Sequence, residues 1–377
     1  MHDPHWIWQQ PDWPHFTWRY EVLSGLMRDC VQAQGQLLGM LGAVDSDSES
    51  RDMLDTLLQN IVTSSAIEGE QLNLGSVRSS LARRLGMVEE SGTTPRSEAL
   101  AELLMDATRR FDQPLTLQRL FTWHQWLFPT DEGLFAQPIG IGRLRGDAAM
   151  QVVSGRIDKP TVHFEAPPRA GLEQQVEDFL RWFEHSRTDT RIDPLLRAGI
   201  AHFWFVTLHP FDDGNGRLTR ALTDLALAQG NRQAISFHAL SASILEDRAG
   251  YYAILEASQK DGLDITAWLT WFLHTLLRNL QQALTRIGRV LDKARFWQAH
   301  RADGLLPEQI KVLNRLLDGG ERGFEDGINA GQYQAVAKVS KATATRHLAD
   351  LVDKGCLVRL PGGGRSTRYQ VGIIGKR

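Results

Sequence analysis

Residues 209 to 220, HPFDDGNGRLTR, gather a histidine, carboxylates, a glycine pair and two arginines within twelve positions. Each type has a task in moving a phosphorus centre. His209 ionises near neutrality and can take a proton from an attacking hydroxyl. Asp213 offers a hard oxygen of the kind Mg²⁺ takes beside phosphates. Gly214 and Gly216 let the backbone turn tightly, so that amides around Asn215 point outward at the start of a helix. Unpaired N–H groups and the positive dipole end make that terminus an anion site. Arg217 and Arg220 share one side of the same helix and both reach a polyphosphate. A GxG turn or a His-Pro pair alone is a weak signal. A merely structural turn gains nothing from two adjacent guanidiniums, so the loop reads as a nucleotide phosphate site with a base beside it.

A second stretch, SSAIEGE at residues 64 to 70, sets Ser64 and Glu68 one helical turn apart. Met53, Leu54, Leu57, Leu58, Ile61 and Val62 form an i, i+3, i+4 stripe running into it, and Gly69 is a natural helix stop. A carboxylate at a helix C-terminus is disfavoured by the dipole, though by under about 1 kcal/mol. That mild local cost favours a partner for Glu68.

The elements that must hold these groups are mostly helical. The stretch LLRAGIAHFWFVTLHPF before the loop is apolar nearly all round, as a central buried helix is. After the loop, Leu218, Leu222 and Leu225 mark the packed face of the next helix. SGTTPRSE, residues 91 to 98, reads as a break in which Thr94 or Ser97 caps a new helix. Between about Gly140 and Pro168 the β-branched residues Val152, Val153, Ile157, Thr161 and Val162 flank Gly155, which predicts a hairpin or flap. Trp6, Trp8, Trp13 and Trp18 follow no helical period and read as an irregular clasp over the body. From about Pro307, three helical patterns, two of them meeting at Val339-Ser340, precede two short strands around a glycine-rich tip. With a positive charge, that is the winged helix-turn-helix pattern.

The whole chain of 377 residues, 42% hydrophobic and 23% charged, suits a soluble globular protein of two or three domains. Its net charge of -3 hides an asymmetry: residues 338–377 carry nine Lys or Arg against two Asp, so this end is +7 on a body of -10. A basic end on an acidic body points to an anionic partner for the end alone. The two cysteines, Cys30 and Cys356, have no CxxC or Cys/His ligand spacing, so neither a disulfide framework nor a zinc site is expected and a reducing cytoplasm fits. No signal-peptide pattern opens the sequence and no run of 18 apolar residues occurs, so no membrane contact is expected.

HPFDDGNGRLTR resembles the HPFx(D/E)GNGRxxR signature of Fic domains without departure. Most Fic proteins are adenylyltransferases that move AMP from ATP to a hydroxyl of a target protein and release pyrophosphate. The resemblance implies His209 as base, Asp213 as the Mg²⁺ ligand, Gly214, Asn215 and Gly216 as the phosphate cradle, and Arg217 and Arg220 as guides for the β- and γ-phosphates. The clasp, helical body, flap and basic end together are similar to a bacterial Fic subfamily with these parts in this order. By that likeness Gln151, Val152, Val153 and Ser154 hold the target's backbone as an added strand, and Tyr251 and Tyr252 in RAGYY close over the adenine or serve as core aromatics.

SSAIEG in turn resembles the (S/T)xxxE(G/N) inhibitory motif of the same family. A glutamate delivered to Arg220 is expected to form a bidentate pair there and occupy the guanidinium the γ-phosphate needs. ATP then binds with its α-phosphate misplaced for in-line attack. In relatives with this motif the glutamate also positions a water that removes AMP, which implies a reverse activity.

The expected architecture is therefore mainly α: a Fic-type helical bundle with a β-hairpin flap, plus a C-terminal winged helix-turn-helix domain. The divisions are 1–92 for the N-terminal helical region with its inhibitory helix, 93–295 for the Fic catalytic domain and 303–377 for the winged helix. The expected function is a cytoplasmic, homodimeric protein adenylyltransferase using ATP and Mg²⁺, acting on Tyr, Thr or Ser of a target or of itself, with Glu68 as latch. The alternative is a DNA-binding transcriptional regulator with a nucleotide-sensing Fic domain. In it Lys341, Thr343, Thr345 and Arg346 line the recognition helix around Ser340 to Asp353, and Arg365 and Arg368 contact phosphates from the wing. Relatives that use another donor include a kinase-like toxin, which departs from GNGR, and a phosphocholine transferase. This chain keeps Arg217 and Arg220, as an ATP-using enzyme should.

Overall fold

The computed structural model describes residues 5–41, 46–87, 92–129, 139–156, 159–231, 239–319, 324, 326–361 and 367–372. Its helices are α1 (Tyr20–Leu41), α2 (Ser46–Ile67), α3 (Leu74–Arg84), α4 (Pro95–Arg109) and α5 (Leu117–Leu127), then, after a hairpin, α6 (Leu172–His185), α7 (Pro194–Leu208), α8 (Asn215–Asn231), α9 (Leu240–Glu246), α10 (Arg248–Gln259) and α11 (Thr266–Ala299). The helices α12 (Pro307–Asp318), α13 (Ala330–Ala337) and α14 (Lys341–Asp353) complete a mainly helical protein. Contacts divide it into two compact units, residues 1–35 with 49–281, and residues 36–48 with 282–377. Among the described residues no helix is long and apolar enough to cross a membrane.

In the first unit local chemistry starts several helices. Thr94 caps α4 by accepting from Ser97 N at 3.1 Å, and Ser97 Oγ accepts from Thr94 N at 2.9 Å, a reciprocal capping pair. Asp193 caps α7 through Leu195 N at 2.8 Å, with Pro194 at the first helical position. Residues 195–208 of α7 are all buried, as an all-round apolar helix must be. It packs along α8, whose Leu218, Leu222 and Leu225 are fully buried.

The hairpin pairs β1 (Gln151–Arg156) antiparallel to β2 (Lys159–Glu165), with Gln151 opposite Glu165 and a register shift between Val152 and Val153. Ile157, counted among its β-branched residues, lies outside the described residues. Three of the four N-terminal tryptophans pack on the body: Trp6 lies edge-on against Phe164 of β2, and Trp8 Nε1 donates to Glu165 O at 2.7 Å. Trp13 packs on Trp204 of α7.

The second unit has its own core of Phe296, Val312, Leu313, Ile328, Tyr333, Leu348, Leu351 and Leu357. Lys338 takes φ 55° between α13 and α14, and Ser340 caps α14 by accepting from Thr343 N at 3.2 Å. Two antiparallel strands follow, β3 (Leu357–Arg359) and β4 (Tyr369–Val371), and Ile328 bridges to Tyr369 as a third. Lys341, Thr345 and Arg346 are exposed on α14 and Thr343 partly so. Arg368 is partly exposed, and its Nη1 donates to Gly327 O at 2.9 Å. Arg365 lies outside the described residues.

Candidate active site

α7 ends at the histidine. His209 adopts the left-handed region, φ 48° and ψ 56°, while its N–H still donates to Phe205 O at 3.1 Å. For a residue with a side chain that conformation costs about 1–2 kcal/mol, so something must hold it. The imidazole lies 3.3 Å from Val206 O through Nδ1. A carbonyl only accepts, so Nδ1 carries the proton and Nε2 keeps its lone pair. Burial first, with the charge of Arg145 adding, outweighs the Val206 hydrogen bond and the carboxylates of Glu68 and Asp213, and pushes the imidazole down to about 4.

Every residue of the turn that follows is braced. Arg145 Nε donates to His209 O at 2.9 Å and its backbone N–H to Pro210 O at 2.9 Å. Asn215 closes a ring on Phe211, Oδ1 accepting from its N–H at 3.0 Å and Nδ2 donating to its carbonyl at 2.8 Å. The Asn215 side chain is thus turned into the loop, and only its backbone amide is left for an anion. Asp212 accepts from Gly140 N and Gly146 N at 3.0 and 3.2 Å. His124, whose Nδ1 accepts from Gly142 N, donates from Nε2 to Asp213 O at 3.1 Å. Gly214 has φ 81°, and a Cβ there would press on Leu127 and Phe128, so the turn requires glycine. The Asp213 carboxylate is half exposed, with Oδ2 3.6 Å from Arg217.

α2 delivers the opposing groups. It ends at Ile67, and Gly69 at φ 82° turns the chain. Arg220, buried in α8, donates from Nε to Ser64 Oγ and from Nη2 to both Ser64 O and Glu68 Oε1, each at 2.8 Å. The expected bidentate Glu68–Arg220 fork is therefore replaced. Ser64 takes the Nε edge and Glu68 supplies one oxygen, because Glu68 leaves the helix directly over Gly216, where a Cβ would collide with Oε1. Its other oxygen faces Tyr252 Oη at 3.5 Å. Burial would raise the Glu68 carboxyl, but the charge and hydrogen bond of Arg220, with Arg217 and Arg248 behind, hold it below its ordinary range.

Sequence reasoning missed a second ion pair beside this one. Glu70 Oε2 accepts from Arg217 Nη1 at 3.0 Å, and Oε1 accepts from Arg96 Nε at 2.6 Å. Arg248 was also unread: its Nε donates to Ile67 O at 2.6 Å and its guanidinium lies over Tyr252. No local pattern marks the ties of Glu70 and of Arg248 to Ile67, because each partner there is a distant carboxylate-binding arginine or carbonyl.

A cavity of about 650 Å³ brings together Val152, Val153 and Ser154 of β1, His209, Gly216, Glu68 and Tyr252. Gln151 instead donates to Glu165 Oε2 at 2.7 Å on the exposed hairpin. Tyr251 is wall rather than lid. It is fully buried, with Oη 2.9 Å from His202 Nε2 and its ring beside Trp268 and Trp271. Asp213 and Arg217 line a second cavity of about 680 Å³, with Glu68, Glu70 and Arg96.

A buried helix ending in a neutral histidine, and a braced glycine turn opening a second helix that carries two arginines, define the Fic class of fold. The chain carries a domain of that family: residues 114–227 match the Fic/DOC family model, and residues 6–87 match a family described only as a domain of unknown function. It is 28% identical over 221 residues to the protein adenylyltransferase fic-1 of Caenorhabditis elegans, covering 55% of this chain and 38% of that one. It is 24% identical over 302 residues to the protein adenylyltransferase Fic of Drosophila persimilis, covering 76% and 56%. The chain thus spans less than two thirds of the length of these relatives. In fold it is similar to a Fic family protein from Desulfovibrio desulfuricans, at a TM-score of 0.54 and 20% identity over 97% of this chain and 99% of that one.

Proposed function

We propose that this protein is an adenylyltransferase that moves AMP from ATP to a hydroxyl side chain of a protein, held in check by Glu68. The observation that carries the reading is Arg220 held by Ser64 and Glu68, with Glu68 and Gly216 lining one cavity with a histidine whose Nε2 is free of its proton. Two features support a polyphosphate as ligand. A helix N-terminus such as the first turn of α8 leaves backbone amides without intrahelical partners, and among the described residues Arg217 Nε is buried with no hydrogen-bond partner.

In the reaction, the target's hydroxyl oxygen attacks the α-phosphorus while its proton passes to His209 Nε2. The bond from the α-phosphorus to the oxygen bridging to the β-phosphate breaks, and pyrophosphate leaves. Arg217 and Arg220 neutralise the charge gathering on the leaving group. The half-exposed Asp213 carboxylate suits Mg²⁺ as a hard oxygen donor. When bound, the ion screens the charge of the phosphates. Glu68 opposes all of this by holding Arg220 with its negative charge where the γ-phosphate belongs.

Intact-protein mass after incubation with Mg-ATP tests the reading in the unaltered chain, in Glu68→Gly, and in Glu68→Gly with His209→Ala. An adenylyl adduct on the chain or on added proteins should rise at least tenfold in the first variant and vanish in the second. No adduct in any of the three, with added proteins also unmodified, overturns it.

A further inference from the structure

Arg145 is fully buried, and its side-chain hydrogen bonds run to backbone carbonyls: Nε to His209 O at 2.9 Å and Nη2 to Pro167 O at 2.5 Å. Among the described residues no carboxylate forms an ion pair with it, although the charge of Asp212 favours it, and a guanidinium so buried is unfavourable, since carbonyl dipoles replace only part of its hydration. A neutral side chain would fill the same space more cheaply, so the charge or the fork must have a use. The two acceptors identify one. His209 O belongs to a residue in the left-handed region, and Pro167 O lies just beyond Glu165, the last residue of β2. The Arg145 backbone adds a third tie through Pro210 O, and its own carbonyl accepts from Arg169 Nε at 2.8 Å.

We propose that Arg145 is the positioning residue of this site, fixing the strained backbone of His209 and the root of the β1–β2 hairpin to one guanidinium so that base and hairpin keep one spacing. This rests on His209 being the base and on the hairpin receiving the target. Transfer demands that a hydroxyl on a strand docked at the hairpin meet Nε2 within hydrogen-bond reach. A misplacement of about 1 Å costs on the order of a hundredfold in rate. Two contacts on one rigid, planar group, with a third from the backbone of the same residue, are a direct way to hold that distance.

The charge has a second effect. Among the described residues, the ionisable groups that face the imidazole or line its cavity are Glu68 after α2, Asp213 on its own loop, His163 on β2, Arg248, Tyr251, Tyr252 and Glu256 on α10, and Arg145 behind it. Arg145 adds to burial in opposing protonation of His209, whereas Glu68 and Asp213 favour it. Removing the charge raises the fraction of protonated base. Replacing Arg145 by lysine keeps the charge and loses the fork.

Arg145→Met and Arg145→Lys, made in the Glu68→Gly background, separate the two effects once thermal unfolding has established that each variant is folded. The His209 ring titration, followed by NMR on histidine-labelled protein and assigned with His209→Ala, needs no turnover. It should move upward in Arg145→Met and stay near the parent in Arg145→Lys. For transfer, kcat should fall on the order of a hundredfold in both, with KM for Mg-ATP within about twofold of the parent, and the acid limb should shift in Arg145→Met alone. A folded Arg145→Met with unaltered ring titration and kcat within about threefold of the parent sinks the proposal. If the parent transfers no AMP, the adenylyltransferase reading fails, and the ring titration together with His209 backbone shifts still decides whether Arg145 holds that residue.

Discussion

His209 and Glu68 carry opposite electrostatic conditions within one cavity, and the histidine sets a measurable pH response. His209 is held down to about 4, chiefly by burial, so the base is neutral throughout the physiological range. The acid limb of kcat/KM in Glu68→Gly is therefore expected well below the ordinary histidine value near 6.5, with a flat profile from about pH 6 to 8. A limb at pH 6 to 7, assigned to the enzyme rather than to ATP, would contradict it. Glu70 supports a further expectation. It bridges Arg96 and Arg217 as Glu68 engages Arg220, so each arginine of the loop is met by a carboxylate from the segment after α2. Glu70→Gln keeps the shape and removes the charge, and Arg217 then meets a polyphosphate with less competition. Calorimetric titration with Mg-ATP should show binding tightened several-fold, by about 1 kcal/mol. Unchanged or weaker binding would mean that Glu70 orders Arg217 rather than competing for it.

Between elements, the α2–α8 contact holds a group whose charge runs against its surroundings. Asp224 on α8 is buried and accepts from Asn60 Nδ2 of α2 at 2.8 Å; burial pushes its carboxyl up to about 7, against the opposing pull of Asn60 and Arg220. Its unfolded value is near 3.9, so between the two the folded state binds the extra proton. Stability from this group is full below the lower value and is lost as pH rises through about 7. Asp224→Asn imitates the protonated form. Its thermal midpoint should match the parent below about pH 4 and exceed it at pH 8, and equal differences at both values would remove the case for a buried acid. This contact also marks what sequence can reveal. The α7 and α8 helices, the Thr94 cap and the Gly69 stop were legible because burial period, cap chemistry and glycine's left-handed freedom are local properties. The ties of Arg145, Glu70, Arg248 and Asp224 were not, because each joins residues far apart in the chain that only packing brings together. The Ser64 share of Arg220 was hidden differently: the serine was visible in the motif, but which guanidinium edge it takes depends on Gly216 admitting Glu68 from above.

For the molecule as a whole, charge is partitioned with the chain. The last forty residues carry +7 and the rest -10, so an anion approaching the protein meets attraction at one end of the sequence and repulsion along the remainder. The second unit adds geometry to that charge. α14 exposes Lys341, Thr345 and Arg346 on one face, its Ser340 cap leaves a clean N-terminus, and a two-stranded sheet follows it. This favours a nucleic-acid partner for the unit as a second proposal beside adenylyl transfer, with phosphate contacts supplying affinity and α14 entering a groove. Fluorescence anisotropy of the full chain with a labelled duplex is then expected to weaken steeply between about 50 and 200 mM salt. The paired change Lys341→Gln, Arg346→Gln should lower the slope of log K against log salt by about 2 while leaving adenylyl transfer by the Glu68→Gly enzyme unaltered. Binding that ignores salt, or a slope unmoved by the pair, would turn the exposed face of α14 toward a protein partner instead, because a protein interface gains from shape and apolar contact and releases few counterions.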